Sequence, residues 1–514
     1  MSKTIIIIGA GLAGLSAALQ AAENGCNVKL VSSLPSERAQ SVMAEGGINA
    51  ALNTKDENDS PEEHFTDTIK AACGLADPNA VWGMTQAAPE LVHWLLKLGV
   101  KFNMSGYDDV DLRNFGGQKK KRTAFAQSDT GKQIMTAMID AVRRKEASGM
   151  VERFSHHSFL TLRLCGNICC GCVIRDEYSQ ETVELPGDAV IVATGGMHGL
   201  FGNTTGSLSN TGEVTAELFR LGVPLANGEM IQYHPTTVKC GGKRMLISEA
   251  ARGEGGRLFA MKDGKQWYFM EEKYPELGNL MPRDITAREI WKVSRESEVF
   301  LDVTEISEEI ISNKLSGLAD DCMTYLHKDI RKEPVSVLPG IHYFMGGILV
   351  DEQHRTPIQN LYAAGECCAQ YHGANRLGGN SLLGALYGGR VAAKSACEQA
   401  DVVDLSCATQ IDFPPASQIS EIKQLNKVMQ ETMGVVRNEN TLLNGIQTVQ
   451  ALTGNLPLLG MAVLKSALAR KESRGAHWRE DYPKSNDDDY LKTTVARFDG
   501  KQIQISFVPV PERR

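Results

Sequence analysis

The sequence lacks any apolar run that approaches the ~20 residues a membrane-spanning helix requires. It also lacks a string of cysteines spaced for an iron–sulfur cluster, so any one-electron centre that the chemistry needs is expected on another chain. Lys and Arg number 54 against 62 Asp and Glu, and the net charge of −8 disfavours a nucleic-acid-binding protein. The chain contains no internal repeat and no low-complexity segment.

The composition is otherwise that of a soluble globular protein. Hydrophobic residues make up 42% of the chain and charged residues 23%, which excludes a fully disordered chain. A length of 514 residues predicts about two to four domains. The apolar run at residues 4–8 is too short for a secretory signal, and 12 cysteines in such a chain indicate reduced thiols. We therefore expect a cytoplasmic protein.

Three cysteines lie close together in the sequence. Cys169, Cys170 and Cys172 include a CxxC spacing, and their apolar neighbours are typical of strands around a tight turn. A second cysteine pair and nearby histidines are missing, which favours buried thiols over a metal or redox site. No metal site is predicted.

The N-terminal segment has the pattern of a βαβ unit that binds a dinucleotide. Residues 4–8 (TIIII) predict a strand buried on both faces, and a GxGxxG turn with Gly9, Gly11 and Gly14 follows it before an alanine-rich helix. Such a turn lets a pyrophosphate approach the backbone at the helix N-terminus. The next predicted strand ends in Ser32 rather than an acidic residue, and this serine can bond a ribose hydroxyl. The unit alone does not distinguish NAD from FAD, and a turn that binds nothing is the alternative.

Two later segments favour FAD and suggest an α/β fold with an interrupted Rossmann-like domain. Residues 188–196 form an apolar strand that ends at Gly195 and Gly196, and residues 361–366 form another that ends at Glu366; both resemble signatures of flavoproteins with two dinucleotide-binding domains. We predict an FAD-binding domain at 1–228 and 345–410, a smaller α+β capping domain at 229–344, and a helical domain with a short irregular tail at 411–514. The acidic residues at 56–63 are expected to form a solvated loop.

Ordered motifs along nearly the whole chain resemble the flavoprotein subunit of the succinate dehydrogenase/fumarate reductase family, which also contains L-aspartate oxidase. The motifs are AEGGIN (44–49), FGG (115–117), RTAFA (122–126), QYHPT (232–236), SEAARGEGG (248–256), PRD (282–284), HYFMGG (342–347), GANRLGGNSL (373–382) and ESRGAH (472–477). The resemblance implies further cofactor contacts beyond the residues above: Glu45, Gly46, Gly47, Asn380, Ser381 and Leu382.

The resemblance also implies a site for a small dicarboxylate. His342 and Arg376 would hold one carboxylate, since Arg pairs with carboxylates through two hydrogen bonds. His234 and Ser248, which replaces the usual threonine, would hold the other. Taken singly, each histidine is more typical of a core residue, and Arg376 is compatible with a surface position or a flavin-phosphate contact. Both clamps are present, which favours a four-carbon substrate.

In this family an arginine protonates the substrate after hydride transfer from flavin N5, and the matching residue is Arg283. A guanidinium is a poor acid, so it must be held in place and reprotonated. Glu249 and Arg252 lie three residues apart and share a face of one helical turn, where they would form the proton relay. A structural ion pair is the alternative interpretation of these two residues.

Many members of the family bind FAD covalently through a histidine five residues before the Glu-Gly-Gly, where this chain has Gln40. We therefore predict noncovalent FAD. The resemblance implies that such a flavin is a weaker oxidant, which favours fumarate reduction or an amine-oxidising relative over succinate oxidation.

Three functions remain in view: a fumarate reductase or succinate dehydrogenase flavoprotein, an L-aspartate oxidase, and a non-catalytic or RNA-associated FAD-binding scaffold. The loop at 122–126 resembles the reductase version, and the acidic charge with intact clamps disfavours the scaffold. Family members often pass electrons through an iron–sulfur subunit, sometimes bound to a membrane anchor. Such a partner would place the chain at the inner face of a membrane, and a free-standing soluble enzyme is the alternative.

Overall fold

A computed structural model of the chain describes residues 2–106, 109–400, 413 and 418–514. The helices within these residues are α1 (Leu12–Glu23), α2 (Pro61–Ala71), α3 (Pro78–Lys97), α4 (Thr130–Ala147), α5 (Glu213–Arg220), α6 (Glu249–Gly253), α7 (Phe269–Lys273), α8 (Arg283–Val293), α9 (Glu308–Lys314), α10 (Ser316–Asp321), α11 (Asn380–Gln399), α12 (Ile419–Thr432), α13 (Glu439–Val449), α14 (Asn455–Ala469) and α15 (Asp487–Tyr490).

The strands are β1 (Thr4–Ile8), β2 (Asn27–Ser32), β3 (Ile48–Asn49), β4 (Leu112–Arg113), β5 (Thr123–Ala124), β6 (Val151–Ser155), β7 (His157–Cys165), β8 (Ile168–Asp176), β9 (Thr182–Pro186), β10 (Ala189–Val192), β11 (Leu225–Ala226), β12 (Ile231–Cys240), β13 (Lys243–Leu246), β14 (Arg257–Lys262), β15 (Lys265–Trp267), β16 (Val299–Asp302), β17 (Val335–Ser336), β18 (Leu338–Phe344), β19 (Gly347–Leu349), β20 (Leu361–Ala363), β21 (Cys368–Ala369), β22 (Lys492–Phe498) and β23 (Ile503–Pro509).

A parallel sheet in the order β20-β10-β1-β2-β6 forms the centre of the molecule. Ile5 of β1 pairs with Val28 of β2 on one side and with Ala189 of β10 on the other, so the first strand is central. Its isoleucines are buried, as the continuous apolar run predicts for a strand covered on both faces. Because parallel strands end at the same edge, the turns after β1, β10 and β20 come together there. The predicted α/β fold is confirmed.

Between β11 and β19 the chain leaves this domain and builds a separate unit. Its strands form two antiparallel sheets, β13-β12-β18 and β15-β14-β16-β17, and α6 to α10 pack with them around a separate apolar core that includes Ile247, Leu258 and Ile290. The unit falls inside the segment predicted as a capping domain. The domain limits at 228/229 and 344/345 stay predictions, and the limit at 410/411 lies outside the described residues.

The prediction of an irregular C-terminal tail is wrong. Helices α12 to α14 follow the predicted helical pattern, but β22 and β23 then form an antiparallel hairpin, in which Thr494 pairs with Phe507. Strand β22 also pairs with β11, where Ala496 lies opposite Leu225. The tail therefore completes a five-stranded sheet, β21-β19-β11-β22-β23, at the base of the inserted unit.

The cysteines follow the prediction only in part. Cys169, Cys170 and Cys172 are buried free thiols as predicted, although they lie within β8 rather than around a turn. Burial raises the pKa of Cys169 to about 12, which keeps this thiol protonated and unreactive. Cys165 is disulfide-bonded, so the prediction of reduced thiols throughout is wrong at this position.

Candidate active site

The turn between β1 and α1 has the shape that a dinucleotide requires. Methyl groups on Gly9 and Gly14 would lie 2.3 Å from the carbonyl oxygen of Ala193 and 1.8 Å from that of Gly9, so the packing of the protein itself demands these two glycines. A methyl group on Gly11 would meet nothing closer than 3.7 Å. The glycine at position 11 is therefore explained by a ligand that approaches the N-terminus of α1.

A second feature of the same region fits the ribose of FAD. Ser32 ends β2 and is 7% exposed, and its hydroxyl oxygen is buried without a hydrogen-bond partner in the described part of the chain. A buried hydroxyl without a partner is costly, and a ribose hydroxyl would satisfy it. The residues present thus fit an FAD molecule that lies along the carboxyl edge of the central sheet.

The other predicted cofactor residues line the same edge. A methyl group on Gly196 would lie 2.7 Å from a carboxylate oxygen of Glu366, so the turns after β10 and β20 touch. That oxygen accepts a hydrogen bond from the backbone N–H of Phe344 (3.1 Å). Gly195 precedes this contact with a φ of +74°. The loop at Gly46 and Gly47 packs against Phe115 and Ala124.

Helix α11 begins at this edge, but the side chain of Asn380 already makes hydrogen bonds within the protein. Its oxygen accepts from Asn49 Nδ2 (2.8 Å) and lies 2.9 Å from His64 Nε2, and its own amide donates to Thr68 (3.0 Å). The backbone N–H of Asn380 donates to the carbonyl oxygen of Leu377 (3.2 Å), so the N–H groups that follow it in the first turn of α11 are the ones that a cofactor could use. Ser381 is half-buried and Leu382 is buried in that first turn.

The two predicted histidines lie side by side on paired strands. His234 is on β12 and His342 on β18, and their rings meet edge to face with centroids 5.1 Å apart. His342 Nδ1 lies 2.8 Å from the hydroxyl oxygen of Thr205. The structure therefore brings together two residues that are 108 positions apart, from 342 − 234.

Ser248 and Glu45 meet at the edge of the inserted unit. Ser248 caps α6, where its hydroxyl accepts from the N–H of Ala250 (3.4 Å), and the same hydroxyl lies near enough to the carboxyl group of Glu45 to lower its pKa. Burial, followed by the negative charge of Asp321, outweighs this effect and raises the pKa of Glu45 to about 8. A residue predicted to contact the cofactor thus lies against one predicted to bind substrate.

Arg283 and Glu249 form a buried ion pair at the start of α8. Arg283 Nε and Nη2 donate to Glu249 Oε2 at 2.7 and 2.5 Å. The other oxygen of Glu249 accepts from the N–H of Gly116 (3.0 Å) and lies 3.4 Å from Arg252 Nη2. The contacts among these three residues fit a proton relay. They fit a structural ion pair equally well.

Arg376 approaches the same space from the loop before α11. Its guanidinium lies over the ring of Tyr343, 4.4 Å from the centroid, and its Nε is buried with no hydrogen-bond partner among the described residues. No ion pair of Arg376 occurs within the described ranges. An anion from outside the protein would satisfy this group.

The charges in the site shift the pKa values in a consistent direction. Burial, and then the positive charge of Arg283, holds the pKa of His234 well below its usual value. His342 keeps a partly exposed edge, yet burial and the neighbouring His234 and Arg283 lower its pKa in the same way. Burial and repulsion from Arg283 lower the pKa of Arg376 to about 9. Both histidines are therefore neutral at pH 7.

Glu249, unlike the two histidines, is ionised at pH 7. Burial raises the pKa of its carboxyl, but Arg283 and Arg252 outweigh that effect, and the pKa lies below its usual value. One carboxylate is thus shared by Arg283 and Arg252, while Arg376 has none bonded to it in the part of the chain that the structure describes.

Gln232 is a residue in the site to which the sequence analysis gave no role. It is fully buried on β12; its amide donates to the carbonyl oxygen of Arg376 (2.8 Å), and its oxygen accepts from Arg283 Nη1 (3.1 Å). It therefore fixes the distance between the two arginines. Its place two residues before His234 in the QYHPT motif was the available signal.

The described ranges contain no helix with the length and apolar content needed to cross a bilayer. Within the same ranges no group of three or more His, Cys, Asp or Glu side chains is arranged to hold a metal ion.

Two family models match the chain: an FAD binding domain at residues 4–382 and a fumarate reductase flavoprotein C-terminal domain at 452–513. The succinate dehydrogenase flavoprotein subunit of Bacillus subtilis is 38% identical over 100% of this chain and 98% of its own. The 8-methylmenaquinol:fumarate reductase flavoprotein subunit of Wolinella succinogenes is 32% identical over 100% and 92%. The structure of E. coli quinol fumarate reductase FrdA superposes with a TM-score of 0.90 at 27% identity, covering 99% of this chain and 97% of that one.

Proposed function

Because the chain belongs to the succinate dehydrogenase/fumarate reductase flavoprotein family of FAD-binding oxidoreductases, we propose that it interconverts fumarate and succinate and acts mainly as a fumarate reductase. The observation that carries this proposal is the surplus of buried positive charge. Among the described residues, one carboxylate is bonded to Arg283 and Arg252 and none to Arg376, and the two adjacent histidines are neutral. A dicarboxylate supplies the missing negative charge at both ends.

Each end of the substrate has its own set of donors in this proposal. His342 and Arg376 hold one carboxylate, and His234 and Ser248 hold the other. Arg376 offers an unpartnered buried Nε, which an anion would satisfy. The neutral histidines donate hydrogen bonds without adding charge, so the arginines supply the electrostatic attraction.

Arg283 is the proposed acid. FAD, when bound and in its reduced form, would supply a hydride to one carbon of the double bond. The guanidinium of Arg283 then gives a proton to the substrate carbon, and Glu249 and Arg252 return a proton to it. The short contacts from Arg283 to Glu249 keep the positive charge in place, and Gln232 holds Arg283 at a fixed distance from Arg376.

The direction and the mode of FAD attachment rest on Gln40. This residue lies in the short helical segment Gln40–Met43, next to the loop of Gly46 and Gly47. An amide side chain cannot form the covalent bond to the flavin that a histidine forms. Acid precipitation of the purified protein should therefore release the yellow colour into the supernatant. Flavin that stays with the pellet would contradict noncovalent binding.

The activity itself is tested by steady-state kinetics on the purified holoenzyme. Reduced viologen with fumarate should give rapid turnover, and L-aspartate with oxygen should give little. Rapid oxidation of aspartate without succinate chemistry would identify an L-aspartate oxidase. Bound FAD with neither activity would favour a scaffold.

We also propose that electrons reach this chain through a partner with an iron–sulfur centre. The relatives are named as subunits, and the described residues include no group of His, Cys, Asp or Glu side chains arranged to hold a metal ion. Through that partner the chain would sit at the inner face of a membrane. Co-purification of the native protein followed by an iron count checks this assignment, and an iron-free monomer would oppose it.

A further inference from the structure

The ESRGAH segment at 472–477 has no role in the proposed chemistry, yet it forms a tight turn at the edge of the site. The N–H of Arg474 donates to the carbonyl oxygen of His477 (2.8 Å), and the reverse bond measures 3.0 Å. Gly475 occupies the left-handed region within this turn, with a φ of +53°. The segment therefore has one defined backbone shape.

The tip of this turn touches the loop that carries Arg376. The N–H of Ala476 donates to the carbonyl oxygen of Ala374 (2.9 Å). A methyl group on Gly475 would lie 2.6 Å from that same oxygen. The contact is thus both bonded and sterically tight, and it lies two residues before Arg376.

Ala374 is held from the opposite side as well. Its N–H donates to the carbonyl oxygen of Ala72 (3.0 Å), just after α2. Ala374 and Ala476 also share a small apolar cluster with Tyr343, whose ring lies under the guanidinium of Arg376. The turn therefore contacts both the backbone just before Arg376 and the cluster that contains Tyr343, the ring beneath the Arg376 guanidinium.

The turn has a rigid base. Arg474 Nε and Nη2 donate to the two oxygens of Glu472 at 2.8 and 2.9 Å, and Arg474 Nη1 donates to the carbonyl oxygen of Cys73 (3.2 Å). Glu472 also accepts from Arg470 Nη1 (2.7 Å). All three charged side chains are buried, so the turn cannot move without breaking this network.

We propose that the turn at 474–477 is a positioning element for the dicarboxylate site, in which Gly475 and Arg474 set the place of Arg376 through Ala374. The inference rests on the proposed role of Arg376 as a substrate clamp. It links the C-terminal region to substrate affinity, although none of the residues proposed to bind the substrate lies in that region. A shift of the clamp by a fraction of an ångström should weaken binding of the dianion.

The test compares Gly475→Ala with Gly500→Ala in the FAD-loaded protein. Both glycines have positive φ, +53° and +91°, so both variants carry backbone strain, but a methyl group on Gly500 meets no atom within 4 Å. Malonate serves as a non-reacting dicarboxylate, and its dissociation constant is read from the change it causes in the flavin absorption spectrum. The KM and kcat for fumarate are measured beside it.

Gly475→Ala should raise the malonate dissociation constant and the fumarate KM by about tenfold, with a smaller change in kcat and full FAD content. Gly500→Ala should change neither constant. Equal constants in the two variants would overturn the inference. If Gly475→Ala does not fold, Arg474→Lys replaces it, with a rise of a few-fold expected and an unchanged constant contradicting the proposal. Wild-type protein that ignores malonate but binds FAD would instead sink the proposed function, and this inference with it.

Discussion

The two ends of the candidate site are built in different ways. At the α6–α8 end, Arg283 and Arg252 lie against one carboxylate, and Arg283 bonds it at 2.7 and 2.5 Å. At the α11 end, Arg376 has an aromatic ring below it at 4.4 Å and no carboxylate bonded to it in the described ranges. All three arginines are buried, so the difference lies in their partners and not in their exposure.

This difference separates two tasks. When Arg283 gives up its proton, the carboxylate of Glu249 still faces Arg252 at 3.4 Å, so no isolated buried charge is left. A buried guanidinium without such a partner gains most from an anion that arrives with the substrate. We infer that the paired end handles the proton and the unpaired end provides affinity. The predictions below test that division.

The largest effect is expected at the paired end. Arg283→Ala should lower the kcat for fumarate reduction by about a thousandfold or more, because the acid is lost, while FAD stays bound. Steady-state turnover and the flavin-to-protein ratio check this. Arg288→Ala, on the same helix but against the ring of Trp478, is the matched control and should keep near-normal activity. Retention of more than a few per cent of activity in Arg283→Ala would remove this residue from the acid role.

The unpaired end should respond mainly in binding. Arg376→Ala should weaken malonate binding by about a hundredfold and raise the fumarate KM while also slowing turnover, because a clamp acts in both the ground and transition states. Titration of the flavin spectrum measures the binding constant. Arg390→Ala, further along α11, should leave it unchanged. A normal KM in Arg376→Ala would mean that the two ends do not divide the work as inferred.

The smallest expected effect is on the pH dependence of the free energy of unfolding, to which the buried histidines contribute. Burial lowers the pKa of His354, which lies outside the site, to about 4, and lowers the pKa of His234 and His342 in the site. Below about pH 6.5 the unfolded chain takes up protons that the folded chain refuses, so stability falls as pH falls. Each such histidine contributes about 1.4 kcal/mol per pH unit between its two pKa values.

Thermal unfolding between pH 7 and pH 5 measures this effect. Bound malonate should lessen the loss of stability, since a dianion beside His234 and His342 favours their protonated forms and leaves His354 unaffected. His354→Gln should make the pH dependence shallower with or without malonate. A malonate effect that is the same at both pH values would show that the site histidines do not face the ligand.

Much of the central domain could be predicted because its signals are local. The strand at residues 4–8, the GxGxxG turn and the second strand ending at Ser32 each depend on neighbouring residues, and β1, α1 and β2 form as expected. The residues of the predicted dicarboxylate site also converge, although their roles rest on the family resemblance and remain predictions.

The errors mostly concern contacts between distant parts of the chain. Strand β23 alternates the apolar residues Ile503, Ile505 and Phe507 with polar ones, and Asp499-Gly500 form a typical hairpin turn before it, so the hairpin had a local signal that the prediction missed. The pairing of β22 with β11, more than 260 residues earlier by 492 − 226, depends instead on distant residues. Residues 56–63 were expected to be solvated, yet Asp59 is buried against Arg122, with contacts of 3.1 and 2.9 Å. Neither the pairing of β22 with β11 nor the contact of Asp59 with Arg122 leaves a pattern in the nearby sequence that could reveal it.

The inserted unit enters from β11 and returns through β19, and these two strands are hydrogen-bonded neighbours, with Leu225 opposite Ile348. Its two ends are therefore only about 5 Å apart, the ordinary spacing between adjacent strands. A unit attached in this way can be replaced as one piece, because a short loop is enough to join two adjacent antiparallel strands. Replacement of the inserted unit would change the substrate-binding residues and leave the FAD-binding domain unchanged.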